Sequence, residues 1–415
     1  MSLAPQHYTL SDGRKISLFL DPNLEIVRVD FVFDAGSAYQ PRYLVAACAN
    51  QIFTEGTLHH SAEEIAEFID FRGISLEKGI DNMTASLTVY VLRKYAAEFF
   101  PLLREMLVEP AFNLEEFELY RAKRRQALLA GRQKSAFVAR NIFYEALYGK
   151  DHVYGGAAVP EDVDKLQLDE VKKFFFDHYH LGSAKVIISG HYDDELLETF
   201  DRIFAAPYAS EMSHNLNLKA MVDDVHPLEK RRHRAHVESP QSTIRLGRLL
   251  PFAWDSQEYA RFLVLNTVLG GYFGSRLMTN IREDKGYTYG IYSQSQIYRY
   301  SIPFFITADV AAQHTQDAID EIYKELDLLR TELIPQEELD RVRSFMKGDH
   351  LRSIDGIFER AERFKQMDSA LVTEQFTDNL LKAIEEVTPE QLRALAQQVF
   401  VDLVEVAVGG IEVES

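Results

Sequence analysis

The chain begins with two segments in which apolar and polar residues alternate, a pattern that predicts β-strands with one buried face. Residues 13–20 form the first, and residues 26–34 form the second, with Val27, Val29 and Phe31 on one side. Helical spacing of apolar residues then predicts a helix over 43–54. A second helix is predicted to begin at Ser61, because a glutamate three residues later completes a capping box. The chain therefore opens with two strands followed by two helices.

The rest of the first half returns to strands and closes with a strand after several helices. Alternation predicts strands at 75–80, 85–92 and 184–189, and helical periodicity predicts helices at 95–108, 114–130, 136–148 and 168–178.

The second half repeats this order of elements. Predicted strands lie at 243–249, 290–296, 302–308 and 404–409, and predicted helices lie at 256–269, 275–284, 313–329 and 388–400. One unit of about 200 residues is thus present twice. We expect an α+β protein with two homologous domains, 1–210 and 237–415, joined by a charge-rich linker at 211–236.

Composition narrows the class of protein and of partner. The 415 residues contain 45 Lys and Arg against 64 Asp and Glu, and the formal charge of −19 disfavours nucleic acid and anionic membranes as partners. The single cysteine, Cys48, excludes a disulfide framework within the chain and lies in an apolar run typical of a buried, inert thiol. The sequence lacks an apolar run of about 18 residues, the length that would predict a membrane span. We expect a cytoplasmic protein, with a periplasmic protein that has lost its leader as the alternative.

Short motifs in both halves connect the chain to a known family. They are Asp34-Ala35-Gly36-Ser37, Glu55-Gly56-Thr57, Ser275-Arg276-Leu277 and Lys285-Gly286-Tyr287, in that order. The chain resembles, over nearly its whole length, the pitrilysin/insulinase family of inverted zinc peptidases, which includes the mitochondrial processing peptidases. The resemblance implies a processing-peptidase-like metallohydrolase fold, in which each domain is a mostly antiparallel sheet packed with helices.

The metal site of that family is degenerate here. Active members carry an inverted H-x-x-E-H motif just before the Gly-Thr turn, and its three functional positions fall on Ala47, Asn50 and Gln51. Alanine has no donor atom, and carboxamides are poor zinc ligands beside histidine or carboxylate. The third ligand position falls near Gln126-Ala127, next to the cationic pair Arg124-Arg125. The resemblance therefore implies a chain without a metal or other cofactor, inactive on its own.

A substrate-binding pair is retained in the second half. In the family, an arginine and a tyrosine seven residues later bind the substrate backbone near the scissile carbonyl, and Arg282 and Tyr289 match them. An Arg fork suits carbonyl oxygens, and a Tyr hydroxyl suits an oxyanion. The alternative is that Arg282 pairs with Glu283 or Asp284 and that Tyr289 packs on the sheet.

The combination implies a non-catalytic, substrate-binding subunit of a two-chain peptidase. A paralogous chain with the zinc motif would be the partner and would hold the zinc, and peptides would be processed or degraded in an enclosed chamber. Substrate would lie along an edge strand of the zinc-bearing partner. Homodimerisation in isolation is a further expectation, because the surface that faces the partner would otherwise expose apolar area. A structural scaffold protein and a hydrolase with a relocated site remain the alternatives.

Three other features carry weaker hypotheses. The pair His59-His60 is interpreted as a solvated loop rather than a metal site, and Gly270-Gly271 matches a flexible loop that gates substrate entry in the family. A group of aromatic residues near the second-half motifs could line the chamber or belong to the sheet core and rim: Tyr272, Phe273, Tyr287, Tyr292, Tyr298 and Tyr300.

Overall fold

Two β-sheets with the same internal strand order organise the chain. The structure, a computed structural model, describes residues 4–205 and 225–411. The first sheet has the order β1-β2-β6-β3-β5-β4, and the second has the order β7-β11-β8-β10-β9. Neighbouring strands are antiparallel except for β2 with β6 and β7 with β11. This arrangement confirms the predicted α+β fold of two alike, mostly antiparallel sheets packed with helices.

The first half of the chain supplies the first sheet. Its strands are β1 Gln6–Thr9, β2 Lys15–Leu20, β3 Ile26–Phe33, β4 Ser75–Ile80, β5 Ala85–Leu92 and β6 Lys185–Gly190. Its helices are α1 Val45–Ile52, α2 Ala62–Arg72, α3 Arg93–Val108, α4 Leu114–Arg132, α5 Ser135–Tyr148, α6 Pro160–Asp164, α7 Leu168–His178 and α8 Asp194–Phe204. The capping box predicted at Ser61 is present, because the Ser61 hydroxyl accepts the Glu64 N–H while the Glu64 carboxylate accepts the Ser61 N–H.

The second half supplies the second sheet. Its strands are β7 Arg232–His236, β8 Gln241–Leu249, β9 Thr288–Ser295, β10 Pro303–Ala311 and β11 Val404–Gly409. Its helices are α9 Gln257–Asn266, α10 Thr315–Thr331, α11 Gln336–Arg352, α12 Ile357–Ser369, α13 Glu374–Glu386 and α14 Pro389–Val399. Two segments, Thr267–Gly271 and Met278–Asp284, are π-helical where the sequence predicts α-helix.

Each sheet buries one face against a set of helices. In the first sheet, Phe31 packs between Phe200 and Phe204 of α8, with ring centroids 6.2 and 5.3 Å away. In the second, Phe304 packs against Phe262 of α9, with ring centroids 5.2 Å apart. Burial of aromatic side chains of this size dominates core energetics. Apolar residues of β3 and β10 thus contribute to the two cores.

The opposite face of each sheet is covered by a helix from the other half of the chain. Among the described residues, the first compact unit contains 4–128, 158–205 and 353–369, and the second contains 129–157, 225–352 and 370–411. Helix α12 packs on the first sheet, where Ile357 and Ala361 form a buried cluster with Phe19 and Ile187. Helix α5 packs on the second sheet, where Thr243 donates from its hydroxyl to that of Ser135 at 2.9 Å. Both units are therefore discontinuous in sequence.

Part of the predicted linker is a strand. Residues 211–224 lie outside the described residues, but Arg232–His236 form β7, which pairs in parallel with β11. The basic run lacks the apolar alternation by which a strand is predicted from sequence. A carboxylate of the neighbouring strand neutralises part of its charge. The buried carboxylate of Glu405 on β11 forms an ion pair with Arg234. In the described part of the chain, no helix combines the length and apolar character needed to cross a membrane.

Candidate functional site

The three positions that correspond to the zinc motif lie on α1, but only one of them enters the core. Asn50 is 3% exposed, and its amide Nδ2 donates to the hydroxyl of Tyr179 at 3.1 Å. Ala47 is partly exposed, and the Gln51 side chain faces solvent. The helix geometry places positions four apart on one face, as a metal site requires. The side chains present there provide one buried amide, one methyl group and one solvated amide.

Asn50 acts as half of a buried polar pair. Burial raises the pKa of Tyr179, and the hydrogen bond from Asn50 lowers it in part, so the phenol stays neutral. A neutral phenol oxygen can accept the amide N–H while both groups lie in the core, which satisfies donor and acceptor together. The Asn50 side chain is therefore bound within the fold.

The third ligand position is equally unsuited to a metal. Gln126 and Ala127 on α4 are exposed, and Arg125 Nη1 lies 2.5 Å from the Asp164 carboxylate. Cys48 on α1 is buried, and burial raises its pKa to about 12 although the charge of Arg121 lowers it in part. A thiol in that state is protonated at neutral pH and binds no metal. Within the described residues, no group of three or more His, Cys, Asp or Glu side chains could hold a metal ion. The residues present do not fit the family's zinc.

The second candidate site begins in the π-helical segment Met278–Asp284, which contains Arg282. Neighbouring side chains anchor this segment: Asn280 Nδ2 donates to Glu321 at 2.9 Å and to Glu325 at 2.7 Å. One turn earlier, Arg276 makes two hydrogen bonds to the Glu338 carboxylate, at 2.9 and 2.8 Å. π-Helical turns are rare and occur often at functional sites. The segment is thus held firmly by residues other than Arg282.

Arg282 stacks on an aromatic ring instead of pairing with an acid. Its guanidinium carbon lies 4.8 Å from the ring centroid of Phe273, which is 63% exposed. In the described part of the chain, neither Glu283 nor Asp284 nor any other carboxylate forms an ion pair with Arg282. Stacking on a ring face fixes a guanidinium while leaving the in-plane N–H groups available. The N–H fork of Arg282 is positioned by Phe273 and pairs with no carboxylate among the residues that the structure describes.

Tyr289 projects from β9, at the outer edge of the second sheet. The pairing of β9 with β10 shifts between Ala308 and Val310, and the Thr288 hydroxyl donates to the Asp309 carbonyl oxygen at 2.6 Å. Such a bulge redirects side chains. Tyr289 is 91% exposed, so its ring does not pack on the sheet. The structure therefore places Arg282 just before the edge strand and Tyr289 on it, joined by a short turn in which the Tyr287 N–H donates to the Ile281 carbonyl at 3.0 Å.

The other candidates divide between packing and surface. Tyr287 stacks on His314 at 4.6 Å, Tyr272 contacts Phe345 at 4.9 Å, and Tyr298 contacts Tyr154 at 4.6 Å between ring centroids. Tyr292, Tyr300 and Phe273 are exposed. The sequence patterns gave no reason to single out Phe273 as the platform for Arg282, although its spacing from the signature could have suggested a contact.

Gly270 and the histidine pair have local structural explanations. A side chain at Gly270 would come within 2.7 Å of the Ser293 backbone nitrogen, so glycine allows the helix to approach β9 closely. His60 Nδ1 lies 2.9 Å from Glu105, and His59 Nε2 lies 3.0 Å from Glu109. The two imidazoles therefore face separate carboxylates on α3.

Comparison with known proteins supports this description. Residues 165–346 match the family model of the peptidase M16 inactive domain. A Bacillus subtilis protein named uncharacterized zinc protease YmxG is 22% identical over 96% of this chain and 96% of its own length. A Helicobacter pylori protein named non-peptidase homolog YmxG is 24% identical over 72% of this chain and 68% of its own length.

Solved structures share the fold over the whole chain. The peptidase M16 inactive domain from Pseudomonas fluorescens has a TM-score of 0.82 and 20% identity, with 99% of each chain covered. A chain of complex III2 from Candida albicans has a TM-score of 0.74 and 12% identity, with 98% of this chain and 96% of that chain covered. The family model over residues 165–346 and relatives named as non-peptidase or inactive proteins support an M16 peptidase paralogue that lacks the zinc motif, in agreement with the side chains at positions 47, 50 and 51.

Proposed function

We propose that this chain is the non-catalytic, substrate-binding subunit of a two-chain zinc-dependent peptidase whose paralogous partner carries the zinc motif. One contrast carries the proposal. The side chains at the zinc positions have no means of binding metal, whereas Arg282 and Tyr289 remain available to a ligand. A protein that had lost all contact with substrate would have no need of an unpaired, stacked guanidinium and an exposed phenol seven residues later.

The two side chains have complementary roles on a bound peptide. Arg282 would donate its N–H fork to backbone carbonyl oxygens, which orients the chain and polarises the carbonyl. Tyr289 would donate its hydroxyl where negative charge develops on the scissile carbonyl oxygen. The other cations of this region, Arg276 and Lys285, are occupied by Glu338 and Glu321. Substrate contact would therefore rest on the single unoccupied cation of the signature within the described residues.

The partner would supply the edge strand on which an extended peptide lies, together with the metal and its general base. Backbone pairing of this kind gives affinity with little sequence preference. Peptides small enough to enter a chamber enclosed by the two chains would be the substrates. A cytoplasmic location is part of the proposal, with the periplasm as the alternative, and the protonated Cys48 thiol is compatible with both.

The proposal is tested by peptidase assays on a quenched fluorescent peptide library. The chain would be assayed alone, and mixed with the zinc-motif paralogue from the same genome, with metal content measured in each sample. We expect activity only in the mixture. Arg282→Ala and Tyr289→Phe should each lower kcat/KM of the mixture by about 100- to 1,000-fold, the range found when one transition-state donor is removed.

Matched controls separate loss of chemistry from loss of folding. Arg352→Ala and Tyr43→Phe make the same changes at exposed positions outside the site, and both should leave activity unchanged. Activity and bound zinc in the chain alone would contradict the proposal.

A scaffold role is the second candidate, because one solved structure with this fold is a chain of a complex III assembly and one relative is named a non-peptidase homolog. It predicts a stable complex with a partner and no change in any partner function when Arg282 or Tyr289 is replaced. Formation of the complex without peptidase activity in the mixture would favour it.

A further inference from the structure

Besides Arg282, two further cations without acidic partners lie where α5 covers one face of the second sheet. Arg245 is on β8 and Arg140 is on α5. The described residues place no carboxylate within ion-pairing distance of either guanidinium. The chain has 64 acidic residues for 45 Lys and Arg, so a cation can easily find an acid. Arg245 and Arg140 nevertheless form no ion pair among the described residues.

Arg245 is held among aromatic rings. Its guanidinium carbon lies 4.3 Å from the ring centroid of Phe305, and 5.8 and 5.9 Å from those of Phe143 and Tyr144. Its Nη1 is buried and donates to no group in the described part of the chain. Burial, and to a smaller extent the charge of Arg140, lower the pKa of Arg245. Burying an unpaired charge is costly, and cation–π contacts offset only part of that cost.

The sheet register connects Arg245 to the exposed edge. Arg245 is opposite Thr307 on β10, and Thr307 is opposite Tyr292 on β9. Residues opposite each other in antiparallel strands share one face of the sheet. Tyr292 is 51% exposed, so the row runs from the buried guanidinium to a solvent-accessible phenol at the sheet edge. A ligand that approaches this edge would meet the Tyr292 hydroxyl and then the two guanidinium groups.

Packing alone does not explain this arrangement. A methionine or leucine would fill the space over Phe305 without a desolvation cost. Arg245 interacts with the Tyr144 hydroxyl, and Tyr144 and Tyr298 both donate to Gln296 Oε1, at 2.9 and 3.0 Å, but no carboxylate takes part in this network. What Arg245 and Arg140 add to the site is a planar set of N–H donors and two positive charges, the chemistry that recognises a carboxylate.

We propose that Arg245 and Arg140, with the hydroxyl of Tyr292, form a carboxylate-binding subsite that selects peptides by a free C-terminal carboxylate or an acidic side chain. The subsite rests on the proposed peptide-binding function and specifies the substrate class. A bound carboxylate would form an ion pair with the guanidinium of Arg245, which has no acidic partner in the described part of the chain.

The test measures peptide binding to the chain alone by fluorescence anisotropy, at low salt because screening weakens ion pairs. The probe is a nine-residue peptide of Ala, Leu, Tyr and Ser labelled with rhodamine at its N-terminus. Its binding is compared with that of the same peptide amidated at the C-terminus. Two further amidated peptides carry one internal Glu or, as the neutral control, one internal Gln. We expect the free acid or the Glu peptide to bind about tenfold more tightly than the neutral amide, and the two arms identify which carboxylate is recognised.

Variants assign the preference to the subsite. Arg245→Met keeps the apolar volume and removes the charge, and Arg140→Gln removes the second cation. Both should abolish the tenfold preference while leaving binding of the neutral amide unchanged. Arg341→Met, at an exposed position on α11, should keep the preference. Arg245→Met should also keep or raise Tm, because it removes an unpaired buried charge. A residue that only fills space would change Tm without changing the preference.

Three negative results have different meanings. Equal binding of acidic and neutral peptides to the unmodified chain would overturn the subsite and leave the peptide-binding function intact. Failure of every peptide to bind up to millimolar concentration would contradict both. Competition by inorganic phosphate with every acidic peptide, together with equal affinities for peptides of equal net charge, would identify a general anion site. That result would overturn the proposal that the subsite selects peptides.

Discussion

Lys365 Nζ on α12 lies 2.9 Å from Asp30 Oδ1 on β3, although 335 positions separate the two residues in the chain. The Asp30 side chain is fully buried and also accepts hydrogen bonds from Arg28 at 2.8 Å and from Thr88 at 2.6 Å. Glu362, one turn before Lys365, forms ion pairs with both Lys365 and Arg28. Helix α12 is therefore held on the first sheet by charge as well as by the apolar contacts of Ile357 and Ala361.

Removal of Asp30 should destabilise the protein strongly. Asp30→Ala leaves Arg28 and Lys365 with Glu362 as their remaining acidic partner among the described residues, and breaking a buried charge network costs about 3–5 kcal/mol. Urea denaturation measures the change in the free energy of unfolding. Lys347→Ala, which removes an exposed ion pair with Glu385, should cost at most about 1 kcal/mol. Equal effects of the two substitutions would show that the buried network contributes no more than a surface pair.

The contribution of Glu362 should depend on pH. Burial raises the pKa of Glu362, but its hydrogen bonds with Lys365 and Arg28 outweigh burial and the net pKa is lowered. A lowered folded-state pKa gives stability that is present above the unfolded value, about 4.3, and is lost as pH falls through the folded value. Glu362→Gln should therefore be less stable than the unmodified chain at pH 7. The difference should shrink between about pH 5 and 3 in urea titrations; a constant difference would exclude this linkage.

The former metal positions should differ in their effect on stability. Asn50→Ala leaves the buried Tyr179 hydroxyl without its partner, which costs about 1–3 kcal/mol. Gln51→Ala, one position along the same helix, changes an exposed side chain and should stay within about 0.5 kcal/mol. Thermal unfolding followed by circular dichroism compares them. A double-mutant cycle with Tyr179→Phe would show coupling if the hydrogen bond is the cause, and additive effects would exclude it.

Restoring the motif should not restore a tight zinc site. The triple substitution Ala47→His, Asn50→Glu and Gln51→His provides two imidazoles and a base, but α4 still lacks the third ligand and carries Arg124 and Arg125 near that position. Isothermal titration with Zn²⁺ should detect only weak binding, about micromolar or weaker, in the triple variant. Adding Gln126→Glu is the informative extension, since a gain in affinity there would locate the missing ligand.

Local patterns were sufficient for the elements with simple alternation or a clear cap. Strands 75–80 and 85–92 were predicted to the residue, and Ser61 and Gly73 bound α2 as expected. Helix α8 was missed, although Asp193 at its N-cap and the spacing of Leu196, Leu197 and Phe200 would have indicated it. Helices α12 and α13 were missed because their many charged residues obscure the apolar stripe. The domain boundary near 211–236 stays a prediction, since 206–224 lie outside the described residues.

The candidate site could be predicted only in part. Family motifs indicated Arg282 and Tyr289, but the sequence could not show that Arg282 stacks on Phe273 rather than pairing with Glu283, because both contacts are compatible with the spacing. Arg245 and Arg140 could not be predicted at all. Their significance lies in the absence of acidic neighbours among the described residues, which depends on the register of three strands and on the placement of α5.

Each sheet is covered by a helix from the other half of the chain, and this arrangement fixes the order in which the covers become available during synthesis on the ribosome. When β6 has been synthesised, all six strands of the first sheet exist, but the surface around Phe19 and Ile187 has no cover until α12 emerges. At about 5–20 residues per second, that interval lasts on the order of ten seconds. A nascent chain that ends before α12 thus leaves Phe19 and Ile187 without the cover that they have in the complete fold. The cover of the first sheet is therefore completed only when most of the second half has been translated.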